Sequence, residues 1–191
     1  MTRILVIQGH PDGKEPHLCQ SLADVYCDEA QQNGHLVRRI DLAAVTFPLL
    51  RSHSEWRQPP SKEIALAQES VAWADHIVLI FPLWLGCMPA LLKGFLEQLL
   101  RPGFALTESR TGPKPLLTGK TASVIVTMCM PSSLYPLQFR PHELKVLERN
   151  VLRLVGIRPL RRMIIGRADK LSLEDRDRWL DKLRLRAAVA G

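Results

Sequence analysis

Apolar residues along this chain fall into short unbroken runs that alternate with longer stretches of three- and four-residue recurrence. The first run, Ile4 to Gln8, is bounded by Gly9 and Pro11 and predicts a buried parallel strand. From about His17 to Asn33, Leu18, Leu22, Val25 and Tyr26 recur at helical steps, and Asn33-Gly34 supplies a helix stop. His35 to Asp41 predicts a second strand, polar enough to lie at a sheet edge. Pro48, Pro59 and Pro60 break any helix from Leu42 to Ser61, so this stretch reads as a loop anchored by Phe47 and Trp56. Ser61 then caps a helix to about Trp73, with Glu63 in its first turn.

Asp75 to Phe81 predicts a third strand, and Pro89 opens a helix that runs to about Leu100. Pro102-Gly103 stops it, and a Gly- and Pro-rich connection follows to Gly119. Thr121 to Thr127 reads as a fourth strand, His142 to Val155 as a helix, and Arg162 to Gly166 as a fifth strand. Ser172 caps a last amphipathic helix carrying Leu173, Trp179, Leu180 and Leu183. Alternating strands and helices imply a parallel sheet covered on both faces. In the order 2-1-3-4-5, ligands are expected beyond the strand carboxyl ends, where the order reverses between strands one and three. The loops to examine are Gly9 to His17, Pro82 to Met88, and Met128 to His142.

Composition narrows the class. The 191 residues, 46% apolar and 24% charged, suit one globular domain spanning 1–191. No run approaches a membrane span, and the N-terminus lacks a signal-like pattern, so a cytoplasmic location is expected. Cys19, Cys27, Cys87 and Cys129 occur singly and read as free thiols, and no metal-ligand spacing appears among the histidines. The net charge is +7, with much of the excess late, from Arg149 and Arg153 to Lys182, Arg184 and Arg186. Such a balance suits nucleic acid or phosphorylated ligands; aromatics at 6%, not interleaved with the arginines, argue against nucleic acid.

Neither GxGxxG nor GxxxxGK[ST] is present. The first loop, Gly9-His10-Pro11-Asp12-Gly13-Lys14-Glu15-Pro16-His17, nevertheless leads into a helix start, where free N–H groups and the dipole attract an anion. His10, Lys14 and His17 can add donors, although His10 could equally tether the loop and His17 cap the helix. The second loop, Pro82-Leu83-Trp84-Leu85-Gly86-Cys87-Met88, puts bulky apolar groups at a strand mouth, either as a wall for a planar ligand or as packing.

Three segments, ILVIQGHPDGKEPHLCQSLADVY, FPLWLGCMPALLKGFLEQLLRPGFAL, and TMCMPSSLY with HELKVLERN, resemble the flavodoxin-like NAD(P)H:quinone oxidoreductase family. The resemblance covers most of residues 3–165 and implies a flavin lying across the strand ends. By that resemblance His10 and the turn Pro16, His17, Leu18 and Cys19 would face the phosphate and ribityl chain. Pro82, Leu83, Trp84 and Leu85 would border the isoalloxazine, with Thr127 at the other edge. Tyr135 and His142 would stabilise charge near N1 and the C2 carbonyl, as an oxyanion hole does.

The family pattern also implies a ping-pong transfer of hydride from NAD(P)H, through N5 of FMN or FAD, to a quinone or similar electrophile. The short loop before Ser61 points to FMN, although Trp56 could stack an adenine of FAD. Homodimers are usual in the family, and Leu91, Leu92, Phe95, Leu99 and Leu100, with Trp84 nearby, form the expected interface. Two departures stand out. Lys14-Glu15-Pro16-His17 replaces a Thr-Ser-Phe-Asn-like stretch, and Thr127 precedes Met128-Cys129-Met130 rather than two glycines. The alternative function is a flavin- or nucleotide-sensing regulatory subunit of a potassium-efflux transporter, docked through the basic C-terminal third. A single-electron flavodoxin carrier would need an acidic face, and a phospho-receiver would need clustered carboxylates after strand one.

Overall fold

In the computed structural model, residues 1–110, 112–135 and 142–189 are described, except for the side chains of His142 and Glu143. Along the chain run β1 (Arg3–Gln8), α1 (Leu18–Gln32), β2 (Leu36–Asp41), α2 (His53–Trp56), α3 (Lys62–Trp73), β3 (His76–Pro82) and α4 (Ala90–Leu99). There follow β4 (Leu106–Thr107), β5 (Lys114–Pro115), β6 (Thr121–Thr127), α5 (His142–Val146), β7 (Leu160–Ile165) and α6 (Leu173–Ala188). Five strands pair in parallel in the order β2-β1-β3-β6-β7, so the order reverses between β1 and β3 as expected. This is the arrangement of a flavodoxin-like sheet.

Sequence explains the layers. β3 is buried along its whole length, which its unbroken apolar run requires, whereas β2 at the edge alternates in exposure. Side-chain alternation sends Leu5, Ile7, Leu79 and Val124 to one face, against Ile64 and Val71 of α3 and Leu92 and Phe95 of α4. Ile4, Val6, Val78, Ile80 and Ile125 face the other way, against Leu22, Ala23 and Tyr26 of α1 and Leu183 of α6. Burying each such side chain contributes roughly 1.5–3 kcal/mol before chain entropy opposes it. Caps set the helix starts: Ser61 Oγ accepts the N–H of Ile64, and Ser172 Oγ that of Asp175.

The structure departs from the sequence expectations at several places. The connection after Pro102 forms the antiparallel pair β4/β5, and the loop before Ser61 contains the helical turn α2. β7 begins at Leu160, because Leu160, Arg161 and Arg162 continue the pairing with β6; an edge strand leaves room for arginines, and Glu148 binds Arg162 at 2.6 Å. Helix α5 widens into a π-helical stretch at Leu147–Leu152. The expected dimer surface is also corrected. Leu92, Phe95, Leu99 and Leu100 are buried in the chain's own core, because the apolar stripe of α4 packs onto the sheet, and Leu91 is half-buried against it.

Candidate functional site

Three loops meet above the carboxyl ends of β1, β3 and β6. At Gly9 the chain passes so close to β3 that an added Cβ would lie 2.9 Å from Leu92 Cδ2 and 3.1 Å from Phe81 Cβ. Its N–H donates to Ile80 O at 2.7 Å, which pins the first loop to the strand beside it. His10 follows, almost buried, with Nδ1 accepting the backbone N–H of Asp12 at 3.2 Å. Its ring stacks on His17, with centroids 3.8 Å apart, and meets the edge of Trp84 at 5.6 Å.

His17 is the N-cap of α1; its N–H donates to Gln20 Oε1 at 2.9 Å. Its Nε2 donates to Asp12 Oδ2 at 2.9 Å, and Lys14 N–H donates to Asp12 Oδ1 at 2.8 Å. These two donors hold the Asp12 carboxyl below its ordinary range, while burial, with the neighbouring His17, pushes His10 down and disfavours its charged form. Beside the first turn of α1, Pro16, His17, Leu18, Ser21, Asp169 and Arg176 line a cavity of about 340 Å³. Pro16 is exposed, His17 and Leu18 are half-buried, and Cys19 is buried.

The second loop is a tight turn. Trp84 and Cys87 exchange backbone hydrogen bonds of 2.8 and 2.9 Å, and both residues between them, Leu85 (φ 50°) and Gly86 (φ 83°), take left-handed backbone. A leucine there is disfavoured, and its side chain is fully exposed, while Trp84 keeps 48% of its surface in solvent. Pro82 is buried and in register with Thr127; Leu83 is half-buried and donates its N–H to Thr127 O at 2.7 Å. Thr127 Oγ1 lies 3.3 Å from Cys19 Sγ, which ties β6 to α1; burial pushes the Cys19 thiol up to about 11, so it stays protonated.

After Thr127, Met128 turns into the core, Cys129 faces solvent, and Met130 packs partly on the core. The large Met128 side chain therefore leaves the strand end clear, although no glycine is present. Tyr135 is 1% exposed and belongs to the same core cluster as Leu144 and Leu147. The side chain of His142 lies outside the described residues. Thus His10, His17 and Trp84 come into ring contact, and Cys19, Pro82, Leu83 and Thr127 line up beside them. Trp56 stands apart: its Nε1 donates to Glu97 O at 3.2 Å on the far half of α4, where a cavity of about 520 Å³ opens beside Leu96, Leu100, Val151 and Leu154. That cavity is larger, but it lies on the flank and not at the strand carboxyl ends.

Two features of the site were not foreseen from sequence. One is the hydrogen bond from His17 Nε2 to Asp12. The other is Gln8, which is 1% exposed and whose amide nitrogen and oxygen find no partner among the described residues. It shares a sheet face with Ile4 and Val6, toward α1. A polar residue closing an otherwise apolar strand was the available signal.

Comparison with known proteins gives a consistent family. Residues 2–188 match the profile of the family with the flavodoxin-like fold. A ribosyldihydronicotinamide dehydrogenase-like protein of Penicillium crustosum is 27% identical over 154 residues, covering 66% of this chain and 57% of that protein. An FMN-dependent NADH:quinone oxidoreductase of Pseudomonas fluorescens is 29% identical, over 65% of this chain and 69% of its own. A crystal structure of a Streptococcus mutans protein superposes with a TM-score of 0.76 at 27% identity, covering 97% of this chain and 98% of that one. The chain thus spans less than two thirds of the first of these curated relatives.

Proposed function

The chain belongs to the family with the flavodoxin-like fold, and from that membership we propose that it is an FMN-dependent oxidoreductase passing reducing equivalents from NAD(P)H to a quinone or similar electrophile. The observation that carries this reading is the pairing of an exposed apolar turn, Trp84-Leu85, with a helix start and two histidines across the sheet's switch point. An apolar wall beside an anion-attracting end matches a ligand that is itself half planar ring and half phosphate. The named relatives of Penicillium and Pseudomonas support the same chemistry.

The residues fit such a ligand. The start of α1, with His17 and Cys19, would hold the phosphate, and the unpartnered Gln8 amide lies on the sheet face that α1 covers. Backbone groups from Pro82 to Leu85 would border the ring, with Thr127 at its other edge. A flavin bound there supplies two-electron chemistry at its N5 position. Trp84 and Leu85 would exclude water from one face and leave the other open to one substrate at a time. A single shared substrate position predicts ping-pong kinetics.

Tyr135 and His142 are the proposed stabilisers of negative charge at the pyrimidine side. Because Tyr135 is buried, that role requires its hydroxyl, rather than its ring, to border the ligand. Trp56 lies on the flank of α4, which favours FMN over FAD within one chain. We take the protein to act in the cytoplasm as a homodimer, as the family resemblance implies; no described helix is long and apolar enough to cross a membrane. The test is direct: the purified protein should be yellow and release FMN on denaturation. A colourless protein that takes up neither FMN nor FAD contradicts the reading.

A further inference from the structure

We propose that Asp12 is a built-in competitor for the flavin phosphate at the start of α1, and that the His17 Nε2–H is the donor for which the two anions compete. The proposal rests on the flavin reading above and goes further, by assigning a residue that sets affinity for the anionic end of the ligand. Both carboxylate oxygens of Asp12 are engaged. Oδ1 takes the Lys14 N–H at 2.8 Å, and Oδ2 takes His17 Nε2 at 2.9 Å. The carboxylate therefore stands against the N-cap residue of a 15-residue helix, bonded to the side chain best placed to meet an incoming phosphate.

The second histidine does not relieve this competition. His10 Nδ1 accepts the Asp12 N–H, and its ring lies 3.8 Å from that of His17 at 22°. Two stacked imidazolium rings would repel, and burial further opposes a charge on His10. One ring donor, His17 Nε2, thus faces one resident anion, Asp12. The other charges around it are Lys14 and Glu15 of the same loop, and Asp169 and Arg176, which line the adjoining cavity of about 340 Å³. The Arg176 guanidinium bonds the Ser21 hydroxyl at 3.1 Å and forms no ion pair among the described residues. Independently, the buried Gln8 amide, which has no partner among the described residues, lies on the sheet face that α1 covers.

When a phosphate arrives, His17 must exchange Asp12 for it, and the remaining carboxylate repels the phosphate from within the loop. Removing the charge at residue 12 should therefore strengthen binding, the opposite of what a ligand-holding residue would do. Asp12→Asn keeps an oxygen that accepts the Lys14 N–H, so the loop turn is retained. His17→Asn keeps an N-cap residue and removes the imidazole donor.

The experiment titrates the full chain, stripped of flavin, with FMN and with riboflavin, which shares the ring but lacks the phosphate. Asp12→Asn should bind FMN about fivefold more tightly than wild type, with riboflavin affinity unchanged. His17→Asn should bind FMN about fivefold more weakly, again with riboflavin unchanged. Unchanged riboflavin binding also reports an intact site; should the Asn variant misfold, Asp12→Ser carries the same test. Asp12→Asn binding FMN no more tightly than wild type, while both flavins bind the wild type, overturns the proposal alone. If neither flavin binds the wild-type chain, the flavin reading falls and the proposal falls with it.

Discussion

Trp84 leaves 48% of its surface in solvent and Leu85 leaves all of it, on a turn whose backbone strain a mere packing role would not require. Both side chains gain by being covered, and a planar ligand across the strand ends would cover them. Trp84→Ala should therefore weaken FMN binding by about tenfold, with little effect on thermal stability, because the residue supports little of the core. Titration of the variant by flavin fluorescence checks this; an unchanged dissociation constant would remove Trp84 from the site. His10 and His17 could be singled out from sequence because each stands next to a Gly or Pro in the loop after β1, and Trp84 because it lies between Pro82 and Gly86 just beyond β3. The Asp12–His17 pair could not, since its geometry depends on how the loop folds back over five residues. Met128 is the converse case. A side chain in place of a glycine must point away or narrow the site, and only the structure shows that Met128 turns into the core.

At the scale of elements, the caps and strand cores were legible because each rests on local chemistry: Ser61 and Ser172 at helix starts, and the apolar runs of β1, β3 and β6. The start of β7 and the β4/β5 pair were not, since both depend on a partner strand rather than on the segment's own pattern. One cross-strand device predicts a pH dependence. His76, at the start of β3, lies 2.5 Å from Thr121 Oγ1 and 3.0 Å from Ser123 Oγ of β6. Burial, with Arg161 and His35 adding to it, lowers His76 from 6.5 to about 4. The folded state then binds fewer protons than the unfolded chain between those values. Stability is full above about pH 6.5 and falls by up to about 3 kcal/mol as pH drops to about 4. Denaturant unfolding across this range should show that fall, and His76→Gln should flatten it. Equal slopes in the two proteins would contradict the assignment.

At the scale of the whole molecule, the sheet order decides where chemistry can happen. Because β1 and β3 are neighbours and their connections leave in opposite directions, a crevice opens where the first and second loops meet, and the start of α1 brings free N–H groups to it. The parallel, two-faced sheet followed from the alternation of elements and its order from the flavodoxin-like pattern, whereas the surface expected for a dimer did not survive, since α4 spends its apolar stripe on its own sheet. The reading of this crevice as a redox site is tested most directly by mixing the FMN-loaded protein anaerobically with NADH or NADPH and then with a quinone. The flavin's visible absorption should be lost on addition of the reduced nicotinamide and return in full on addition of the quinone. A protein that holds its flavin, yet shows no loss of that absorption with either nicotinamide, would contradict the enzymatic account and favour a regulatory flavin-binding role.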